Sequence, residues 1–219
     1  MATKSSKVQD PVLNERVSSR VVLLNAASSL MIERGTIEIS LSEIARYSGL
    51  NSALVKYYFG TKQGMMLALV EDVLGRGLEQ LEGLLTMPLD PIEKLKLHVK
   101  GIITVYFRYP YINRLIHYLF EDPAAGLEVA TTISKPLAET QRKLLEEGIE
   151  AGLFKPIDPM LFYFIILGAC DHLFYAQHML RVAFGVEQID DDLRRRYSDT
   201  LLDMILNGLL QEGRSSAVI

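Results

Sequence analysis

The sequence predicts an all-α fold of about nine helices: a three-helix N-terminal domain, a linking helix, and a C-terminal helical bundle. Apolar residues recur at three- and four-residue steps along nearly the whole chain, and no stretch alternates apolar with polar residues in the β-branched pattern of a strand. Breaks in the periodicity fall on glycine, proline and capping side chains, the residue types that end helices.

A chain of 219 residues, 49% hydrophobic and 23% charged, has the apolar content for a sizeable core and the charge of a globular protein. The longest apolar stretch, Met160 to Cys170, falls short of the roughly 18 residues that a membrane span requires, so no membrane partner is expected. A lone Cys170 excludes an intramolecular disulfide, and the start MATKSSKVQD offers no apolar run to a signal peptidase; both point to the cytoplasm. The net charge of -4 is unevenly spread, since residues 1–62 carry eight Lys and Arg against five Asp and Glu while the remainder carries fifteen against twenty-two. A basic head on an acidic body suits a polyanionic partner for the head.

Residues 1–13, with Lys4 and Lys7, read as a flexible basic arm. A first helix is expected from Asn14 to Arg34, with Val17, Val21, Leu24, Ser28 and Met31 on its buried stripe and Gly35 as its stop. Ser40-Leu41-Ser42-Glu43 matches a capping box, in which hydroxyl and carboxylate satisfy free N–H groups, and opens a short helix to Tyr47. Ser48-Gly49-Leu50-Asn51 interrupts it, and Asn51 or Ser52 caps a second short helix through Phe59. Longer helices follow at 62–85, 91–109, 111–120, 126–152, 159–184 and 190–211, with Pro136 in a first turn or a kink. The expected organisation is therefore 14–62 as a three-helix N-terminal domain, 63–212 as a helical body, and 213–219 as a flexible end.

Leu41 to Phe59 has helix-turn-helix spacing for physical reasons. Two short helices that cross steeply need a small side chain at the contact, here Ala45, and a turn residue that tolerates positive φ, here Gly49. Ile44, Leu50 and Val55 close the apolar wedge, which leaves Ser52, Ala53, Lys56 and Tyr57 on the outer face of the second helix. Tyr58-Phe59-Gly60-Thr61-Lys62 and a new amphipathic helix follow.

This arrangement resembles the TetR family of one-component repressors, closely over 14–75 and more loosely over the body. The resemblance implies phosphate contacts from Ser40 or Ser42, from Tyr58 and from Lys62, with Asn51, Ser52, Ala53, Lys56 and Tyr57 completing the DNA-binding set. The chemistry agrees, because helix N-termini present free N–H groups to a phosphate and a lysine adds a point charge. Lys56 stands where the family usually has tyrosine, so the operator does not follow by analogy.

The resemblance further implies a homodimer on a palindromic double-stranded operator, released by a small-molecule effector. Aromatic and polar residues on apolar helices are the candidates for its pocket: Tyr106, Arg108, Tyr109, His117, Tyr118, Phe162, Asp171, His172 and Tyr175, with plain core packing as the competing reading for each aromatic ring. Gly168, Ala176, Ala183, Leu202, Ile205 and Leu209 suit a four-helix dimer interface. Catalysis is not expected, since Cys170-Asp171-His172 point about 100° apart on a helix, and no metal or cofactor motif occurs. A regulator without a ligand and an all-α enzyme are the alternatives.

Overall fold

The computed structural model describes residues 11–211, with side chains from Ser19 onward; the expected arm before Pro11 and the tail after Gln211 lie outside the described residues. The helices are α1 (Pro11–Arg34), α2 (Leu41–Ser48), α3 (Ser52–Phe59), α4 (Lys62–Leu85), α5 (Pro91–Arg108), α6 (Ile112–Phe120), α7 (Pro123–Val129), α8 (Lys135–Glu150), α9 (Pro159–Tyr175), α10 (Gln177–Phe184) and α11 (Asp191–Leu209), with a π-helical turn, Ala130–Ser134, between α7 and α8. The all-α expectation holds among the described residues, where the one β-type pairing is an isolated bridge between Phe154 and Leu210. No single described helix is long and apolar enough to cross a membrane. Two compact units divide between Leu69 and Val70, inside α4.

Several expected boundaries are corrected. Helix α1 starts at Pro11, so residues 11–13 are helical rather than part of an arm, in keeping with the preference of proline for a first helical turn. Its buried face is Leu23, Leu24, Ala27, Leu30 and Met31, whereas Val21, expected inside, is 43% exposed. The face is turned because α1 packs against both α2 and α3. Helix α5 stops at Arg108, since Pro110 forces Tyr109 out of helical geometry, to φ -128 and ψ 66.

The helix expected at 126–152 begins at Pro123, where the Asp122 carboxylate accepts from Ala124 and Ala125 N–H at 3.0 and 2.9 Å. It then passes through the π turn, in which Lys135 N–H reaches back five residues to the Ala130 carbonyl. Pro136, with no N–H to give, removes the regular bond that would follow. The helix expected at 159–184 is two helices bent by 66° at Ala176, with no proline or glycine at the break.

In the second unit α5 is the shared partner of α8, α9 and α11. Leu95, Val99 and Ile103 of α5 meet Leu144 and Leu145 of α8, Phe162, Ile166, Cys170 and Phe174 of α9, and Leu202, Leu206 and Leu209 of α11. Four-residue steps on α5 and α9, and four- and three-residue steps on α11, make these the ridges that interlock. Phe154 is fully buried after the turn that ends α8, and a Cβ on Gly148 would lie 2.0 Å from its ring, so only glycine fits there.

Two polar groups of α5 enter this unit's interior. Lys94 is 3% exposed, and its ammonium donates to Glu147 Oε1 at 2.7 Å and to the Leu85 carbonyl at 2.9 Å, pinning the end of α4 to α5 and α8. One turn on, His98 Nε2 accepts from the Gln141 amide nitrogen at 2.7 Å. Burial pushes the His98 imidazole down from 6.5 to about 4, so it is neutral near pH 7.

The sign of the linkage follows. Between the lowered folded value and the unfolded 6.5 the unfolded chain binds the extra proton, so the stability held above pH 6.5 drains away as pH falls towards about 4. The loss should approach about 3 kcal/mol. Urea unfolding across this window should show a falling midpoint in the native protein and a flatter profile in His98→Asn.

Candidate nucleic-acid interface

In the first unit, α2 and α3 are placed by their ends. The Ser40 hydroxyl accepts from Glu43 N–H at 3.2 Å, while Glu43 Oε2 accepts from Ser40 N–H at 2.8 Å, so the expected capping box is formed. Gly49 closes α2 at φ 70 and ψ 8, a left-handed conformation that side chains resist, and Leu50 N–H returns to the Ala45 carbonyl at 3.2 Å. Of the two candidate caps for α3 the structure uses Asn51, whose Oδ1 accepts from Ala53 N–H at 2.8 Å. Ile44, Ala45, Val55 and Phe59 are buried between the helices, and Leu50 is half-buried.

Burial of those residues turns Ser52, Ala53, Lys56 and Tyr57 outward; all four are exposed, Tyr57 to 64%. Tyr58 is half-buried, its ring edge-on to Tyr57 at 5.1 Å and tilted against Phe59 at 6.2 Å. The Arg20 guanidinium of α1 lies 5.6 Å from the Phe59 ring centre, a cation–π contact between α1 and α3. Lys62 opens α4, its stem along an apolar crevice lined by Ala27, Met31, Ile39 and Ile44. Ser40, Ser42 and Asn51 are exposed at the starts of α2 and α3.

Two features of this unit escape a local reading of the sequence. The first is Gly64: a Cβ there would stand 2.3 Å from the Phe59 carbonyl oxygen, so glycine alone lets the end of α3 approach the first turn of α4. Thr61 Oγ1 accepts from Gly64 N–H at 3.0 Å and caps the same turn. The second is a pair of ties from the last turn of α1 to α2. Tyr47 donates its hydroxyl to Glu33, and Arg34 Nη1 donates to Glu43 Oε1 at 2.6 Å. The Arg34 and Ser40 bonds hold the Glu43 carboxyl down at about 2, so it is charged at any working pH.

The residues expected around a ligand do not share one environment. Phe162 is 3% exposed within the packed core, Arg108, His117, Tyr118, His172 and Tyr175 are exposed, and Tyr106, Tyr109 and Asp171 are half-buried. Asp171 accepts from the Asn113 amide, a partner the expected set omitted, and burial pushes its carboxyl above the usual range. Burial and the nearby Asp171 charge likewise push the Tyr106 hydroxyl up. His172 stacks on Tyr175 at 6.5 Å, with the Arg114 guanidinium 5.6 Å from that Tyr175 ring. Cys170 faces the core, where burial pushes its thiol up to about 12, so consecutive Cys170, Asp171 and His172 sit in three environments.

Of the residues expected at a dimer interface, Leu202 and Leu209 pack inside the protomer's own core, Ala176 and Ile205 are half-buried, and Gly168 and Ala183 are exposed. Beside the exposed pair stand large apolar side chains that the expectation passed over. Leu161, Phe164 and Ile165 of α9 are 53%, 67% and 59% exposed, and Val182 and Phe184 of α10 are 73% and 69% exposed.

Comparison with known proteins matches the same two regions. Residues 23–69 match the family described as bacterial regulatory proteins, tetR family, and residues 88–214, more than half of the chain, match the tetracyclin repressor-like C-terminal domain. The regulator BetI of Rhizobium meliloti is 32% identical over 89 residues, a match covering 41% of this chain and 42% of that protein. The regulator RutR of Escherichia coli is 21% identical over 195 residues, covering 88% of this chain and 91% of that protein. Among solved structures, FadR of Bacillus subtilis in complex with stearoyl-CoA aligns with a TM-score of 0.68 at 19% identity, covering 86% of this chain and 98% of FadR, which shows a common fold. This chain belongs to the TetR family of transcriptional regulators.

Proposed function

We propose that the chain is a homodimeric repressor acting in the cytoplasm, which grips a palindromic operator through its first unit and is released by a small-molecule effector held in its second. The observation that carries the DNA reading is the exposed row Ser52, Ala53, Lys56 and Tyr57 on α3, flanked by the capped start of α2 and by Lys62 at the start of α4. A helix presenting such a row suits the major groove, and helix N-termini beside it suit the phosphates. In this reading α3 reads bases, while Ser42, Tyr58 and Lys62 hold the backbone. Ser40 is a poorer phosphate contact than Ser42, because its hydroxyl already donates to Glu43 Oε2 at 2.7 Å.

The dimer reading rests on the apolar side chains exposed on α9 and α10. A second copy would remove Phe164 and Val182 from water on both protomers at once, as a two-fold contact does. Support for an effector is more general: the family's one-component logic, the stearoyl-CoA in the FadR structure, and the half-buried polar groups Tyr106 and Asp171 of this chain. The working division is residues 14–62 for DNA and 63–212 for ligand and dimer. Helix α4 belongs to both units, which makes it the element through which occupancy of one would alter the other. The coupling can be no larger than the ligand's differential affinity for the two states, typically about 1–3 kcal/mol.

Titration of duplex DNA at several salt concentrations tests the central claim, and binding that does not weaken as salt rises would refute it. Lys62→Ala should weaken binding to all duplexes alike, by about 1 kcal/mol, and Lys56→Ala should also change base preference among operator variants. Gly64→Ala should weaken DNA binding without unfolding the body, because the new methyl pushes α4 off the Phe59 carbonyl and moves Lys62 relative to α3. Phe164→Glu and Val182→Glu, both at exposed positions, should leave the protomer folded by circular dichroism and yield monomers in sedimentation.

A further inference from the structure

We infer that Arg34 is a positioning residue for DNA binding that acts through Glu43, cancelling the charge of the carboxylate that caps the start of α2. The inference rests on the DNA-binding reading above and adds to it a role for two residues outside the expected contact set.

The start of α2 uses the Glu43 carboxylate as its acceptor. Its Oε2 accepts from both the backbone N–H and the hydroxyl of Ser40, at 2.8 and 2.7 Å, and the Ser40 hydroxyl is also 3.0 Å from that of Ser42. These bonds fix the first turn of an eight-residue helix that buries little else than Ile44 and Ala45. The same carboxylate is a liability wherever a phosphate must approach, since a fixed negative charge beside Ser42 repels it and competes for the same helix-end dipole.

Arg34 resolves the conflict. It ends α1, lies nine residues away in sequence, and sets its guanidinium 2.6 Å from the other carboxylate oxygen, Oε1. One oxygen thus serves the cap and the other is neutralised. Both side chains are about one-third exposed, 37% for Arg34 and 31% for Glu43, so the pair is screened and contributes little to folding. Its consequence falls on what approaches from solvent. Tyr47, one turn beyond Glu43, donates to Glu33, the neighbour of Arg34, so α1 meets α2 at two points and the guanidinium is held in register with the cap.

A purely structural ion pair and a charge-compensating one make opposite forecasts for its two halves. Arg34→Met leaves the carboxylate bare and should weaken binding to a random-sequence duplex by about three- to tenfold at low salt, a penalty that shrinks as salt is raised. Glu43→Gln keeps a residue that can still serve the capping box and removes the charge, so it should bind as tightly as the native protein or more tightly. The double variant Arg34→Met, Glu43→Gln should recover the loss. Thermal melts of all three should stay close to the native one.

Parallel weakening by both single variants, or a loss in Arg34→Met that persists at high salt and is not recovered by the double variant, would overturn the inference. Lys62→Ala separates this from the parent reading. If native protein and Lys62→Ala behave as expected while Arg34→Met and Glu43→Gln move together, the DNA-binding reading stands and the role of Arg34 fails. A native protein that shows no salt-dependent binding overturns both.

Discussion

Helices α2 and α3 are too short to hold their own direction. Each has eight residues, and each buries two, Ile44 and Ala45 in one, Val55 and Phe59 in the other. Isolated helices below about 12–15 residues are marginal in water, and so little buried surface cannot set a crossing angle by packing alone. The direction comes instead from bonds at the places where one helix passes the chain to the next: the capping box at Ser40, the left-handed Gly49, the Asn51 cap and the Thr61 cap. Each contributes on the order of 1 kcal/mol. A surface that must match the spacing of a duplex is therefore built from several small local terms, and a defect in one tilts a helix before it unfolds the unit.

The local nature of those terms explains what the sequence reveals. A capping box spans four residues and a left-handed glycine one, so Ser40, Glu43, Gly49 and the outward row on α3 are all legible without tertiary knowledge. Contacts made across space are not. Nothing near Gly64 in sequence announces that the Phe59 carbonyl occupies the place of its missing Cβ. The tie between Arg34 and Glu43 likewise needs the angle between α1 and α2, as does the choice of Leu23 and Ala27 over Val21 as the buried face of α1. In the body, Pro136 marks a disturbance but not its kind, and the bend at Ala176 carries no mark at all.

Helix α9 shows why periodicity loses direction in the body. Apolar residues surround it, so the pattern that orients an amphipathic helix has nothing to point with. The structure breaks the tie through α5, which takes Phe162, Ile166, Cys170 and Phe174 and leaves Leu161, Phe164 and Ile165 outside. Phe162 thus belongs to packing, and an interface set chosen for small residues and leucines includes Leu202 and Leu209, which the protomer already uses for itself. The polar groups of α5 obey a stricter rule. Lys94 is buried only because the half-exposed Glu147 and the Leu85 carbonyl meet its ammonium, and without them a charge would be left unpaired in the interior.

If the exposed apolar side chains of α9 and α10 join two copies, the energetics of release become simple. Two heads tethered in one dimer engage DNA with the second contact made intramolecular, which can raise affinity by about 10²–10⁴ over one head. An effector then needs to damage neither head. It has only to favour a state in which both cannot reach their half-sites together, and the avidity is lost while every contact on α3 stays chemically intact. That economy suits a first unit built from marginal local terms, because its caps and turns need not change between the bound and released states.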